Sequence, residues 1–298
     1  MAIQTSGPIS ISDIVAEFGG TAPHSLSEYY GKDTVPASGA ISLDDFYGTS
    51  DSMPIIATGG STSTSGNYKY HYFYYQIGSQ TFTVTQTATG SFSNNLQVLV
   101  VGGGAAGGYP SGSWSGGGGG GGGIVTATVG ASLTSYSITV GKGGGTRSSS
   151  APGESGGASQ FTSSYIAYGG GGGGSDTAGV SGGCGGGGSS RNFSNNPEPG
   201  GTGSQGGDGF RSSGFTGNGQ WGGGGGSGGG DASNGNPGPA YTWLNGGTYA
   251  RGGYGGVGGS SSLPAASGYG GGGSGGSDSV NSASVGNPGI VIVRYQIS

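Results

Sequence analysis

The chain has one cysteine, Cys184, so no internal disulfide can form. Histidine is nearly as scarce: His24 and His71 are the only two, and nothing around them has the spacing of metal ligands. Charge is scarce as well. Only 7% of the residues are charged, with 8 Lys and Arg against 13 Asp and Glu and a net charge of −5. No basic stripe exists to neutralise phosphates, which argues against a nucleic-acid partner. Long apolar runs are missing too. No aliphatic stretch is longer than Val98-Leu99-Val100-Val101, whereas a bilayer needs about 20 apolar residues, so no membrane span is expected. The opening MAIQTSGPIS has neither a charged n-region nor an apolar h-region, and no secretory signal is expected. If the protein works outside a cell, lysis is one exit that needs no such signal. The scattered acids Asp176, Asp208 and Asp231 form no calcium-loop pattern. Nothing sets a nucleophile beside a base. The expectation is a non-enzyme with no metal and no cofactor.

Two motifs suggest nucleotide binding and fail on context. Gln97–Val101 followed by Gly102-x-Gly104-x-x-Gly107 matches a dinucleotide fingerprint. That motif needs a helix after the glycines and an acid about 20 residues on; here YPSGSWSGGGG and then IVTATV follow. Gly141-Lys142-Gly143 lacks the surrounding residues of a P-loop. Asn192-Phe193-Ser194 is a glycosylation sequon, which says little without a secretory signal.

What the chain does have is glycine, 82 of 298 residues, together with 10% aromatics. Disordered chains are poor in aromatics and rich in charge, the opposite of this composition. No strict G-X-Y period runs through it, which excludes collagen.

Residues 1–50 carry three copies of a helix-start signal: Ser10-Ile11-Ser12-Asp13, Ser25-Leu26-Ser27-Glu28 and Ser42-Leu43-Asp44-Asp45. In each, the acid can reach back to the serine N–H and sits in the positive end of the helix dipole. This predicts short helices near 11–18, 26–30 and 43–47, each ended by a glycine. Ile14, Phe18, Leu26, Tyr29 and Phe46 are expected to cluster. About 50 residues bury little surface, so the module is expected to dock on something, with a self-contained mini-domain or an ordered tail as the alternative. Ile14, Phe18, Leu26, Tyr29, Tyr30, Phe46 and Tyr47 are its attachment candidates. Residues 51–67 are rich in Ser, Thr and Gly and read as a linker, with a short strand possible at Met53–Ile56.

Residues 68–298 read as strands set among glycine runs. Strands are expected at Tyr68–Gln76, Thr81–Thr87, Gln97–Val101, Ile124–Val129, Tyr136–Val140, Gln160–Tyr168 and Ile290–Gln296. Ile77–Gln80 and Gly130–Thr134 read as hairpin turns. The last strand should pair with the first ones and bring both ends of the glycine region together. The runs are 102–108, 116–123, 169–174, 182–188, 222–230 and 270–276. In a polyproline-II-type helix they would be rods of roughly 15–28 Å whose outward N–H and C=O groups can bond to one another. The fold class expected is mainly β with little helix: a small N-terminal helical module, then a β-sheet or sandwich plus a bundle of polyglycine-II helices.

The segments between runs hold the candidate recognition residues: Tyr109, Trp114, Phe193, Phe210, Arg211, Phe215, Trp221, Tyr241, Trp243, Tyr249 and Arg251. Aromatic faces beside amides, hydroxyls and a few arginines suit sugars and protein loops. The same aromatics would serve equally to cap the ends of a glycine bundle.

The order YKYHYFYYQIGSQTFTV, LQVLVVGGGAAGG, GGGGIVTATV…SYSITVGKGGG and a terminal NPGIVIVRY resembles the glycine-rich domain of phage tail and virion proteins and of relatives in marine bacteria. The front, SGPISISDIVAEFGGTAPHSLSEYYG, is similar to the start of structural proteins of marine phages, especially those of cyanobacteria. The resemblance implies a protein on the exterior of a virion, joined to other virion proteins through residues 1–50. Loops between glycine rods would contact a host surface glycan or outer-membrane protein. It also implies a homo-oligomer, a trimer by analogy with tail appendages. The chain lacks long repetitive β-fibre segments, so a tip, a short fibre or a decoration protein fits better than a whole fibre. A decoration or cement subunit without a receptor is the alternative. An ice-binding polyglycine protein is a remote one, since no flat regular row of Thr or Ala is visible.

Overall fold

The computed structural model describes residues 2–109, 115–146, 151–190, 197–216, 219–221, 223–233, 235–257, 264, 266–277 and 282–298. The architecture is mainly β with a small helical part at the N-terminus.

The N-terminal module has one α-helix, α1 (Ile11–Phe18), and two 3-10 turns, Leu26–Tyr29 and Leu43–Phe46. All three start as the serine–acid signals predict. The N–H of Ser10 donates to Asp13 at 2.8 Å, that of Ser25 to Glu28 at 3.2 Å and that of Ser42 to Asp45 at 2.7 Å. The second and third are single turns because glycine follows closely, at Gly31 and Gly48, both with positive φ. Ile14, Tyr29 and Phe46 are buried together with Ile3 and Val35, and Phe18 and Leu26 pack against them.

Among the described residues, fourteen short strands follow. The first sheet holds β1 (Ile56–Thr58), β4 (Gln80–Gln86), β7 (Ser135–Thr139), β8 (Ser159–Phe161) and β9 (Tyr165–Ala167), in that order. The second holds β2 (Ser61–Ser65), β3 (Tyr68–Tyr74), β14 (Ile290–Gln296), β5 (Asn95–Val101) and β6 (Ile124–Gly130), in that order. All neighbours are antiparallel. Two small ribbons, β10–β11 (Ser213–Thr216, Gly219–Trp221) and β12–β13 (Tyr241–Thr242, Thr248–Tyr249), complete the set.

The two sheets pack face to face. Phe73, Val98, Val100, Val291 and Val293 of the second sheet meet Phe82, Val84, Ile138 and Phe161 of the first. Each such side chain, fully buried, contributes about 1.5–3 kcal/mol. The period of two in β3 divides its residues: Phe73 joins this core, and Tyr70 joins a second cluster on the outer face with Leu99, Ile290 and Ile292.

Three expectations are corrected here. Residues 51–67 do not form a bare linker: they supply β1 and β2, and Ile55 and Ala57 lie in the sandwich core. Their Ser/Thr-rich run has no apolar alternation to reveal an edge strand. Ile77–Gln80 and Gly130–Thr134 do reverse the chain, but neither closes a hairpin. β3 and β6 belong to one sheet, β4 and β7 to the other. Turn residues report a reversal, not whether the next strand pairs with its predecessor or crosses to the facing sheet. The predicted return of the C-terminal strand is observed: β14 lies between β3 and β5, with Ile290 opposite Tyr74 and Val101.

Among the described residues, no helix is long and apolar enough to cross a membrane.

Candidate functional site

The glycine runs leave the sandwich at one end of its second sheet, after Val101 and before Ile124, and form a hydrogen-bonded lattice. Along 102–108 the N–H groups of Gly102, Ala105 and Gly108 donate to Gly123, Gly120 and Gly117 at 2.8–3.0 Å. Those of Gly103 and Ala106 donate to Gly157 and Glu154, and those of Gly104 and Gly107 to Asn287 and Ser284. Every third residue returns to the same neighbour, as a helix of three residues per turn requires. The run 116–123 is central. Its N–H groups reach Gly276, Gly273 and Gly270 on one side, Gly174, Gly171 and Tyr168 on a second, and Gly223 and Gly226 on a third. Its carbonyls accept from the 102–108 rod and from Gly187, Gly253 and Gly256.

Glycine is selected here for its missing side chain. None of the glycines from 116 to 123 has a positive φ. A Cβ added at Gly117 would lie 1.9 Å from the carbonyl oxygen of Gly187, and one at Gly120 2.3 Å from that of Cys184. The dense bonding offsets the entropy lost in ordering glycine. Cys184 fits as a small buried residue in this lattice, with Sγ 3.2 Å from the Gly122 carbonyl. Burial pushes its thiol pKa up to about 12, against a smaller lowering by a hydrogen bond to Gly207.

The rods end together at the side remote from the sandwich. Gly108 donates to Gly117 at 2.8 Å, Gly116 to Gly276 at 2.9 Å, Gly256 to Gly116 at 2.8 Å and Ser190 to Ser115 at 2.9 Å. The residues leading into 110–114, 191–196, 258–263 and 278–281 therefore gather around Gly116. At the opposite end of the sandwich, the exit of the N-terminal module is tied to the β4–β5 loop. The Thr89 N–H donates to the Met53 carbonyl at 2.9 Å, and the Ser91 N–H to Ser52 at 3.0 Å. Strand β5 runs from near this loop to the lattice, about 23 Å at 3.3 Å per residue.

The eleven recognition candidates divide among several places. Tyr109 and Phe210 are half-buried near the lattice end, where Phe210 accepts from Gly188 at 3.0 Å, and Arg211 beside it is exposed. Phe215 and Trp221 lie on the β10–β11 ribbon, with Trp221 opposite Ser213. Trp114 and Phe193 lie outside the described residues. Tyr241, Trp243 and Tyr249 are not at this end. They sit on the β12–β13 segment over the outer face of the second sheet, where Trp243 and Tyr249 are buried against Tyr70, Leu99 and Ile292. Arg251 is half-buried on the lattice flank, its guanidinium 5.4 Å from the Tyr254 ring and bonded to its hydroxyl at 2.8 Å. Of the attachment candidates, Ile14, Tyr29 and Phe46 are core residues of the module, so they face no partner. Phe18, Leu26 and Tyr47 are half-buried, and Tyr30 is the exposed one.

One feature escaped sequence reasoning: Arg294 is buried on the outer face of the second sheet between β3 and β5, while His71, which its tyrosine strand makes a packed or surface residue, is fully buried. The alternation of β14 places Arg294 on the same face as Ile290 and Ile292, a signal that was present in the sequence.

The sequence profile of a glycine-rich domain family matches residues 76–296. The chain belongs to that family. A comparison with curated proteins gives no match. The family's span begins just after β3 and runs through β14, so it takes in the lattice and most of the sandwich but not the N-terminal module.

Proposed function

We propose that this glycine-rich domain protein is a phage virion component, a tail-fibre or tail-tip adhesin whose rod-end segments contact the host surface. The observation that supports this most is the polarity of the chain. The chain leaving the module of residues 1–50 is tied through Ser52 and Met53 to one end of the sandwich, and the rods converge at the other. Such an arrangement separates attachment from contact and joins them through a stiff hydrogen-bonded body. Adhesion would be non-covalent, built from many weak contacts multiplied by copy number. The phage assignment draws on the resemblance of residues 1–50 and 68–298 to virion proteins.

The test is deletion of residues 210–221 from the full chain, with particle adsorption and particle stability both measured. The adhesin reading expects adsorption to fall while the particles stay intact. Unchanged adsorption with weakened particles would overturn it in favour of a cement subunit. Burial of Trp243 and Tyr249, which spends two aromatics on packing, favours that second reading.

A further inference from the structure

A groove of about 510 Å³ opens on the outer face of the second sheet, between strands β5 and β6 and the 241–244 segment. Its lining includes Gln97, Thr126, Thr128, Tyr241, Thr242 and Trp243. Thr126 and Thr128 are exposed on an edge strand, and Gln97 lies opposite Thr128. Among the described residues, no charged side chain lines it.

Gln97 is oriented from behind. Its Oε1 accepts from Arg294 Nε at 2.7 Å. A guanidinium only donates, so the amide must turn its oxygen to Arg294 and its NH2 away. Among the described residues that NH2 donates to nothing. Arg294 itself is buried, bonded to the Tyr70 hydroxyl at 2.9 Å and stacked 4.1 Å from the Tyr68 ring centroid. No carboxylate among the described residues pairs with it. Its charge is therefore passed through the Gln97 amide, and a donor hydrogen-bonded to a cation through its own oxygen is a stronger donor.

The groove thus combines a polarised amide NH2, three threonine hydroxyls that either donate or accept, and aromatic surface from the half-buried Tyr241 with the small exposed part of Trp243. A ligand matching this set has adjacent hydroxyls and an apolar C–H face, and carries no net charge. The volume falls in the range of small-molecule sites, about 300–1,000 Å³. We propose that this groove binds a neutral pyranoside. Gln97 Nε2 donates to a ring hydroxyl, Thr126, Thr128 and Thr242 exchange hydrogen bonds with its neighbours, and the C–H face rests on the aromatic wall. The site is separate from the rod ends and does not depend on the adhesin reading.

The experiment is saturation-transfer NMR and calorimetry on the full chain, with the methyl α- and β-pyranosides of glucose, galactose, mannose and N-acetylglucosamine. At least one is expected to bind. Gln97→Glu keeps an acceptor for Arg294 but removes both N–H donors, so it should preserve the fold and weaken binding roughly tenfold or more. Thr128→Val, at an exposed edge position, should weaken it severalfold. Deleting residues 210–221 should leave it unchanged, so a failed adsorption test and a failed sugar test can be told apart. If no glycoside of the panel binds, or if Gln97→Glu binds as well as the parent chain, the proposal is wrong.

Discussion

His71 and Tyr295 stand 224 positions apart in the chain, yet their rings stack at 5.6 Å and share a hydrogen bond of 3.1 Å between Nε2 and the phenol oxygen. The other nitrogen, Nδ1, lies 2.7 Å from the Gly59 carbonyl. A carbonyl only accepts, so Nδ1 carries the proton and Nε2 accepts from Tyr295. The neutral imidazole is thereby satisfied at both nitrogens, and a second proton would cost the Tyr295 bond. The contact adds a side-chain link, inside the sandwich, to the backbone pairing of β3 with β14.

A pH dependence follows. Burial holds the His71 pKa below its ordinary value of 6.5; the bond to Gly59 opposes this, and nearby Lys69 adds to it. Between the lowered folded value and 6.5 the unfolded chain binds more protons than the folded one. The stability associated with a neutral His71 is thus fully present above pH 6.5 and is lost as pH falls through the folded value. The urea midpoint should be flat from pH 8 to 7 and drop between pH 6.5 and 5. In His71→Phe that drop should disappear, on a lower baseline of about 2 kcal/mol from two unpaired buried partners. A midpoint equal at pH 5 and 7.5 in the parent chain would refute this.

The lattice makes a steric prediction. Gly120→Ala puts a methyl group where the Cys184 carbonyl already sits, 2.3 Å away. The rods on both sides are backbone and cannot yield as a flexible side chain would. A loss of about 3 kcal/mol or more is expected, seen as a lower thermal midpoint. Gly130→Ala is the control, since nothing lies within 4 Å of its Cβ position, and it should be close to neutral. Equal midpoints for the two variants would contradict glycine's role as a spacer.

These cases show what could be read from sequence. The serine–acid signals of residues 1–50 and the period-two strands were legible because each depends on residues a few positions apart. The rods were legible as a class against the alternative of disordered linkers, because linkers rarely alternate with strands and aromatics. The partners of each rod were not, since identical glycines carry no address. Strand β2 was hidden because Ser61–Ser65 is exposed at every position and so shows no apolar alternation, whereas β1 starts at Ile56, the end of the short strand expected at Met53–Ile56. For the candidate site, the lattice-end position of Tyr109, Phe210 and Arg211 followed from their place between runs. Trp243 and Tyr249 looked the same in sequence and proved to be packing residues, because the sheet face they cover is assembled from β3, β5 and β14, strands distant in sequence on both sides of them.

The N-terminal module should respond to acid at a lower pH than the sandwich. Hydrogen bonds from the Ser10 side chain and backbone hold the Asp13 pKa below its ordinary 3.8, with burial a small opposing effect. Its contribution is full above 3.8 and lost as pH falls through the lower folded value. Helical circular dichroism of the Asp13→Asn variant should therefore change less on acidification below pH 4 than that of the parent chain. An identical acid response would show that the cap does not couple to the module's folding.

Cys184 offers a probe of lattice opening. A buried thiol with its pKa pushed up to about 12 is almost wholly protonated near neutral pH and unreactive. Labelling by an alkylating reagent should be negligible in the native protein and should rise together with global unfolding in urea. Rapid native labelling would mean that the rods around Gly122 and Cys184 open locally.

Arg294 should govern the segment that forms one wall of the groove. Its guanidinium bonds to Gln97, to the Tyr70 hydroxyl and, at 3.4 Å, to the Leu244 carbonyl, and it lies 5.8 Å from the Trp243 ring. The sheet and the 241–249 segment thus share one cation. Arg294→Met fills similar volume but leaves those acceptors unpaired, at a cost of about 2–3 kcal/mol. Lysine should not rescue it, because a point charge cannot reach the two strands and the aromatic faces at once. Hydrogen exchange separates the effects: amides of 241–249 should lose protection in Arg294→Met while those of β14 and β5 keep theirs. If the 241–249 amides remain as protected as in the parent, the apolar packing of Trp243 and Tyr249 alone holds the segment, and Arg294 serves only to orient Gln97.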